Sequence, residues 1–95
     1  MQKKNSTEQK FKRAAHAAFR RIEDEGVVLD LRTSAYYSLN ETARAVWEGL
    51  DAGLSVEAIA EKLSSEFDET PAKIEGDVAA IVAQLTKEGL IEPRS

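Results

Sequence analysis

The spacing of apolar residues changes period near residue 40. Before that point it alternates. The segment 18–25, AFRRIEDE, alternates weakly; then Val27, Leu29 and Leu31 fall on one face and Val28 and Asp30 on the other. Tyr37 and Leu39 share a face, and Tyr36 and Ser38 take the opposite one. Glu25-Gly26 reads as a turn, because glycine reaches positive φ at no steric cost, and Arg32-Thr33-Ser34 reads as a second, polar turn. The pattern predicts three short strands in an antiparallel meander.

From Asn40 onward the period is helical. Asn40 is a good N-cap, since its side chain can accept an orphan N–H of the first turn, and Glu41 suits the positive helix end. Ala43, Val46, Trp47 and Leu50 follow at helical spacing until Gly53. Ser55 caps a second helix with the stripe Val56, Ile59, Ala60 and Leu63, closed by Phe67. Thr70-Pro71 restarts the chain as N-cap and first helical residue. The third helix is predicted to run to about Glu88 with the core stripe Ile74, Val78, Ile81 and Leu85; Gly89 ends it and Leu90-Ile91 pack back. The expected fold is α+β: a three-stranded antiparallel sheet followed by three helices, winged-helix-turn-helix-like.

Ninety-five residues suffice for one domain with a modest core. The charge is uneven. Residues 1–22 carry seven Lys/Arg and one acid, and the rest carries six and sixteen, for a net −4. Residues 1–17 are therefore expected to form a basic, flexible extension, with the domain at 18–92. Residues 8–18 suit a helix start or a lead-in to a strand equally.

Chemistry is thin. The absence of cysteine excludes a disulfide scaffold, a thiolate metal site and a cysteine nucleophile. His16 is the lone histidine and belongs to no recognisable triad or zinc set. The five glycines are isolated, so no phosphate loop exists. These features argue against an enzyme and predict no cofactor and no metal. No apolar run approaches the ~18 residues of a membrane span, and the basic N-terminus lacks the apolar stretch of a secretory signal; the expected location is cytoplasmic.

Two surfaces remain. A helix-turn-helix outline raises a winged-helix DNA-binding transcriptional regulator as the alternative. Its third helix, however, would open with Thr70-Pro71-Ala72-Lys73-Ile74-Glu75-Gly76-Asp77, a poor match to phosphate. The other surface is the edge strand Tyr36–Leu39, which has neither proline nor lysine to block pairing, so an extended peptide can add there. Gly76, Ala79, Ala80 and Ala83 on the third helix leave room for a second backbone.

The ordered set Val28-Leu29-Asp30, Tyr36-Tyr37-Ser38-Leu39-Asn40, Ala43 through Trp47, Ser55, Asp77-Val78 and Leu85 with Gly89-Leu90 resembles the PqqD-like family, also called RiPP recognition elements. The resemblance covers about residues 18–92. It implies a non-catalytic module that binds the leader of a ribosomally made precursor peptide and presents it to a modifying enzyme, a peptidase/cyclase or radical-SAM enzyme. It implies strand contacts at Tyr36, Tyr37, Ser38 and Leu39 and helix contacts at Asp77, Ala80, Ile81 and Gln84. Members serving pyrroloquinoline quinone synthesis usually carry Pro-Glu near the second turn and Cys-Asp-Gly after the first helix. Here Arg32-Thr33-Ser34 and Asp51-Ala52-Gly53 stand there. The Tyr-Tyr-Ser-Leu-Asn form is more similar to members of lasso-peptide or radical-SAM pathways.

Overall fold

The computed structural model describes residues 9–94. In chain order it contains β1 (Phe11–Arg13), β2 (Ala17–Ile22), β3 (Glu25–Asp30), β4 (Ala35–Leu39), α1 (Glu41–Asp51), α2 (Val56–Phe67), α3 (Pro71–Lys87) and β5 (Ile91–Pro93). The meander β2-β3-β4 and the three helices follow the expected α+β plan, and a second, two-stranded sheet pairs β1 with β5. The register runs from Ala17↔Asp30 to Ile22↔Glu25 and from Gly26↔Leu39 to Asp30↔Ala35.

Cross-strand partners share a face, so this register sorts the sheet. Ala17, Phe19 and Arg21, with Gly26, Val28 and Asp30, and with Ala35, Tyr37 and Leu39, point toward the helices. Ala18, Arg20, Ile22, Val27, Leu29, Tyr36 and Ser38 point away. The buried side of β3 is thus Val28 and Asp30 rather than its more apolar side.

The first turn is not at Glu25-Gly26. It is the two-residue Glu23-Asp24 hairpin, with Glu23 at φ 56. Gly26 lies inside β3, where its value is space: a Cβ there would stand 2.6 Å from Phe19 Cε1. That ring stacks on Trp47 of α1, centroids 5.7 Å apart and planes at 26°. The closeness of β3 to Phe19 therefore couples the sheet to the first helix.

The helices form as their caps predict. Asn40 Oδ1 accepts from Ala43 N–H at 2.9 Å, Ser55 Oγ from Ala58 N–H at 3.1 Å, and Thr70 Oγ1 from Lys73 N–H at 3.4 Å. One stripe needs correction. In α3 the buried residues are Ile74, Val78, Val82 and Leu85, so Val82 takes the core place expected of Ile81, which is half-buried. Both spacings fit a helix; packing on two sides of α3 chooses between them.

The boundary at residue 18 also shifts. Residues 1–8 of the expected extension lie outside the described residues. Residues 9–17 join the folded body: Phe11, Ala14 and Ala17 are buried, and Arg13 pairs with Ile91. The Gln9 carbonyl accepts Val56 N–H at 2.9 Å, an orphan donor of the α2 start. Strands of three residues are too short to show a period, which explains why β1 and β5 are not visible in the spacing alone.

Two glycine replacements check this packing by denaturant unfolding. Gly26→Val should destabilise by about 1–3 kcal/mol through overpacking against Phe19. Gly76→Ala, where nothing lies within 4 Å of the added Cβ, should stabilise by up to about 1 kcal/mol.

Candidate functional site

In the sheet order β2-β3-β4, β4 pairs only with β3, and its other edge is open among the described residues. α3 runs antiparallel to β4 beside that edge. At one end the Tyr37 hydroxyl donates to Glu88 Oε1 at 3.3 Å. At the other, Leu39 and Asn40 face Asp77, Ala80 and Ile81 across an open groove of about 610 Å³.

The groove brings together Ser38, Leu39, Asp77, Ala80 and Ile81 of the expected site residues. It adds Glu25, Asn40, Thr42 and Ala43, none of which the sequence marked as a binding residue: Glu25 read as a turn, Asn40 as an N-cap and Ala43 as part of the helix stripe. The clue available for these four is their position next to the edge strand. Leu39 is buried and belongs as much to the core as to the groove. Tyr36 stands on the opposite face of the sheet, 75% exposed. Tyr37 and Gln84 do not line the groove, but they meet at Glu88: Gln84 Nε2 donates to its Oε2 at 2.8 Å. Burial and the Glu88 charge push the Tyr37 hydroxyl pKa up, so it remains a donor.

Of the four small residues on α3, only Ala80 lies in this groove. Gly76 has no neighbour within reach of a Cβ, while Ala79 and Ala83 flank a separate depression with Phe11, Val56 and Pro93. Asp77 is paired to Lys73 at 3.1 Å, i to i+4, and this contact raises the lysine pKa.

The edge is held in place by Asp30, which is only 1% exposed. Its Oδ1 accepts Arg32 N–H at 2.9 Å and Arg32 Nε–H at 3.2 Å, and its Oδ2 accepts the guanidinium at 3.0 Å. Its carbonyl accepts Ser34 N–H at 2.7 Å, with Ser34 at φ 65. One residue thus shapes the turn that aims β4. The Arg32 hydrogen bond, opposed by burial, holds the Asp30 carboxyl at about 2. Nearby, His16 Nε2 donates to the Gly89 carbonyl at 2.8 Å, tying β2's lead-in to the end of α3.

A small three-stranded sheet whose β4 edge lies open beside an antiparallel helix, across a shallow groove, defines a winged-helix-like module. The chain belongs to the family of coenzyme PQQ synthesis protein D (PqqD), whose model matches residues 25–91. No curated protein matches it. Among solved structures it is similar to a lasso peptide synthetase B1 complexed with the leader peptide, with TM-score 0.81 and 30% identity over 88% of this chain and 99% of that one. It is equally similar in shape to TbiB1 in complex with the TbiA(beta) leader peptide, with TM-score 0.81 and 25% identity over 88% and 98%. The PqqD truncation of Methylobacterium extorquens PqqCD, a stand-alone RiPP recognition element, shares the fold at TM-score 0.73 and 23% identity over 93% of each chain.

Asp30 makes acid stability testable. A carboxyl whose pKa is lowered on folding stabilises the protein above its unfolded value near 4, and that contribution is lost as pH falls toward 2. Asp30→Asn should melt at a lower temperature at pH 7. Its melting temperature should also fall less steeply than the wild type's between pH 4 and pH 2, as followed by circular dichroism.

Proposed function

We propose that this chain is a non-catalytic, cytoplasmic module that captures the leader of a ribosomally synthesised precursor peptide by strand addition to β4. It presents that peptide to a modifying enzyme of a lasso-peptide or radical-SAM type pathway. The observation that carries this reading is the open edge of β4 beside the groove of α3. An added strand takes its affinity from backbone bonds to that edge and its specificity from alternate side chains. Inward side chains of the leader would enter the groove over Ala80 and Ile81, and outward ones would lie beside Tyr36 and Ser38. Asp77 would close one end of the groove, and the Gln84–Glu88–Tyr37 cluster the other.

The leader-peptide complexes among the similar structures support the same reading. No helix of the described residues is long and apolar enough to cross a membrane. DNA binding finds no comparable support: Lys73 at the start of α3 is engaged by Asp77, and Glu75 lies exposed beside them.

The tests use the cognate leader peptide and isothermal calorimetry. Ala80 is exposed, so Ala80→Arg should cost only a few tenths of a kcal/mol in helix propensity, roughly, and fold normally. Leader affinity should drop about tenfold or more, a loss of ~1.4 kcal/mol. Ser38→Pro should weaken binding as well, by removing a strand donor or distorting the edge. Normal leader affinity in both folded variants would place the peptide elsewhere. Tight, sequence-specific DNA retention in a gel shift at physiological salt would replace the proposal with a regulator.

A further inference from the structure

The strand register fixes the phase in which β4 offers its backbone to an added strand. Ile22 and Glu25 flank the two-residue turn of the first hairpin, so they form a hydrogen-bonded pair. Glu25, Val27 and Leu29 therefore turn their N–H and C=O groups toward β2. Gly26, Val28 and Asp30 turn theirs toward β4, where their partners are Leu39, Tyr37 and Ala35. Tyr36 and Ser38 are left with N–H and C=O groups aimed at the open edge. A strand bonded to these two carries outward side chains opposite them. Its inward side chains, on the helix side of the sheet, fall opposite Tyr37 and Leu39.

These two inward positions meet different surroundings. The one opposite Leu39 enters the groove over Ala80 and Ile81. The one opposite Tyr37 lies beside Glu88, the half-buried C-cap residue of α3. The Glu88 carboxylate spans the gap between edge and helix: Oε1 accepts the Tyr37 hydroxyl at 3.3 Å and Oε2 accepts Gln84 Nε2 at 2.8 Å. Both donors are neutral. Glu88 enters no ion pair among the described residues. Arg32 is engaged by the buried Asp30, and Lys87 lines the depression with Phe11 and Pro93. The helix dipole also disfavours an anion at a C-terminal end. The fold thus holds a positioned carboxylate without a counter-charge where an added strand points a side chain. Asp77, farther up α3, differs in having Lys73 as its partner.

We propose that Glu88 is a specificity-determining residue, and that the leader carries a Lys or Arg at the inward position opposite Tyr37 whose charged end pairs with the Glu88 carboxylate. The inference rests on the leader-binding reading and deepens it. Its consequence is register. Backbone bonds to Tyr36 and Ser38 are nearly indifferent to a slip of two residues, because such a slip keeps every side chain on its face. A cation held by Glu88 is not, since the slip carries it away from the carboxylate.

The test is a double-mutant cycle by calorimetry, with the full chain, the synthetic cognate leader, and leaders in which each Lys and Arg is replaced singly by Gln. One replacement should weaken binding to the wild type by about fivefold. Glu88→Gln keeps an acceptor for the Tyr37 hydroxyl and removes the charge. It should bind the unmodified leader about fivefold more weakly, and the same leader replacement should then cost less than about twofold. Its melting temperature should hold or rise, because an anion leaves the helix C-terminus. A purely structural Glu88 would instead weaken every leader alike. Should Glu88→Gln unfold, Glu88→Asp, with the charge on a shorter arm, runs the same cycle and should reduce the cost of that replacement. If the wild type binds no leader, the peptide-binding reading itself fails. If it binds and no Lys or Arg replacement matters, or the cost is unchanged in the Glu88 variant, Glu88 does not select a cation and the proposal is overturned. Coupling to Asp77→Asn in place of Glu88→Gln would overturn it too, by moving the cation to the other end of the groove.

Discussion

A three-stranded sheet backed by a single layer of helices can bury one face only, and it keeps both edges open. Everything functional in this protein descends from that constraint. The buried face is closed by Phe19 stacked on Trp47, with Gly26 leaving room for the ring. β4 then emerges at the rim of the core with an unpaired edge beside α3. A larger sheet, or a helix on the second side, would have covered either the edge or the outer face.

The cost of such a thin fold is that its turns must be held rigidly, because little packing supports them. Asp30 performs this task from a buried position. Its carboxylate is almost without solvent, yet it accepts three hydrogen bonds from Arg32, and its carbonyl accepts from the turn. A buried charge is tolerable when it is paired and fully hydrogen-bonded. The reward is geometric: the hairpin that presents β4 has a defined direction, the preorganisation that lowers the ordering cost of the strand addition proposed above.

The short strands β1 and β5 serve the same end outside the meander. They pair residues 11–13 with 91–93, the Gln9 carbonyl just before β1 accepts from the start of α2, and Phe11 and Ile91 are buried in the core. This leaves α3 anchored at its C-terminal end, where His16 holds the Gly89 carbonyl, while the helix middle faces the groove. Rigid borders around an open edge suit the strand addition proposed for it.

Local signals in the sequence determined the meander, the three helices, their caps at Asn40, Ser55 and Thr70, and the outward aim of Tyr36. Each depends on neighbours within four residues, where period and capping chemistry act. The unblocked edge of β4 was legible too, because proline and lysine are read directly. Tertiary structure alone decided the rest. The side of β3 that is buried is the one with Asp30, since Arg32 satisfies that carboxylate and Val28 meets the helices. Val82 rather than Ile81 enters the core because α3 packs on two sides, and a single helical stripe cannot report two neighbours. Three-residue strands pair only because residues 80 positions apart meet, and no local pattern encodes that meeting.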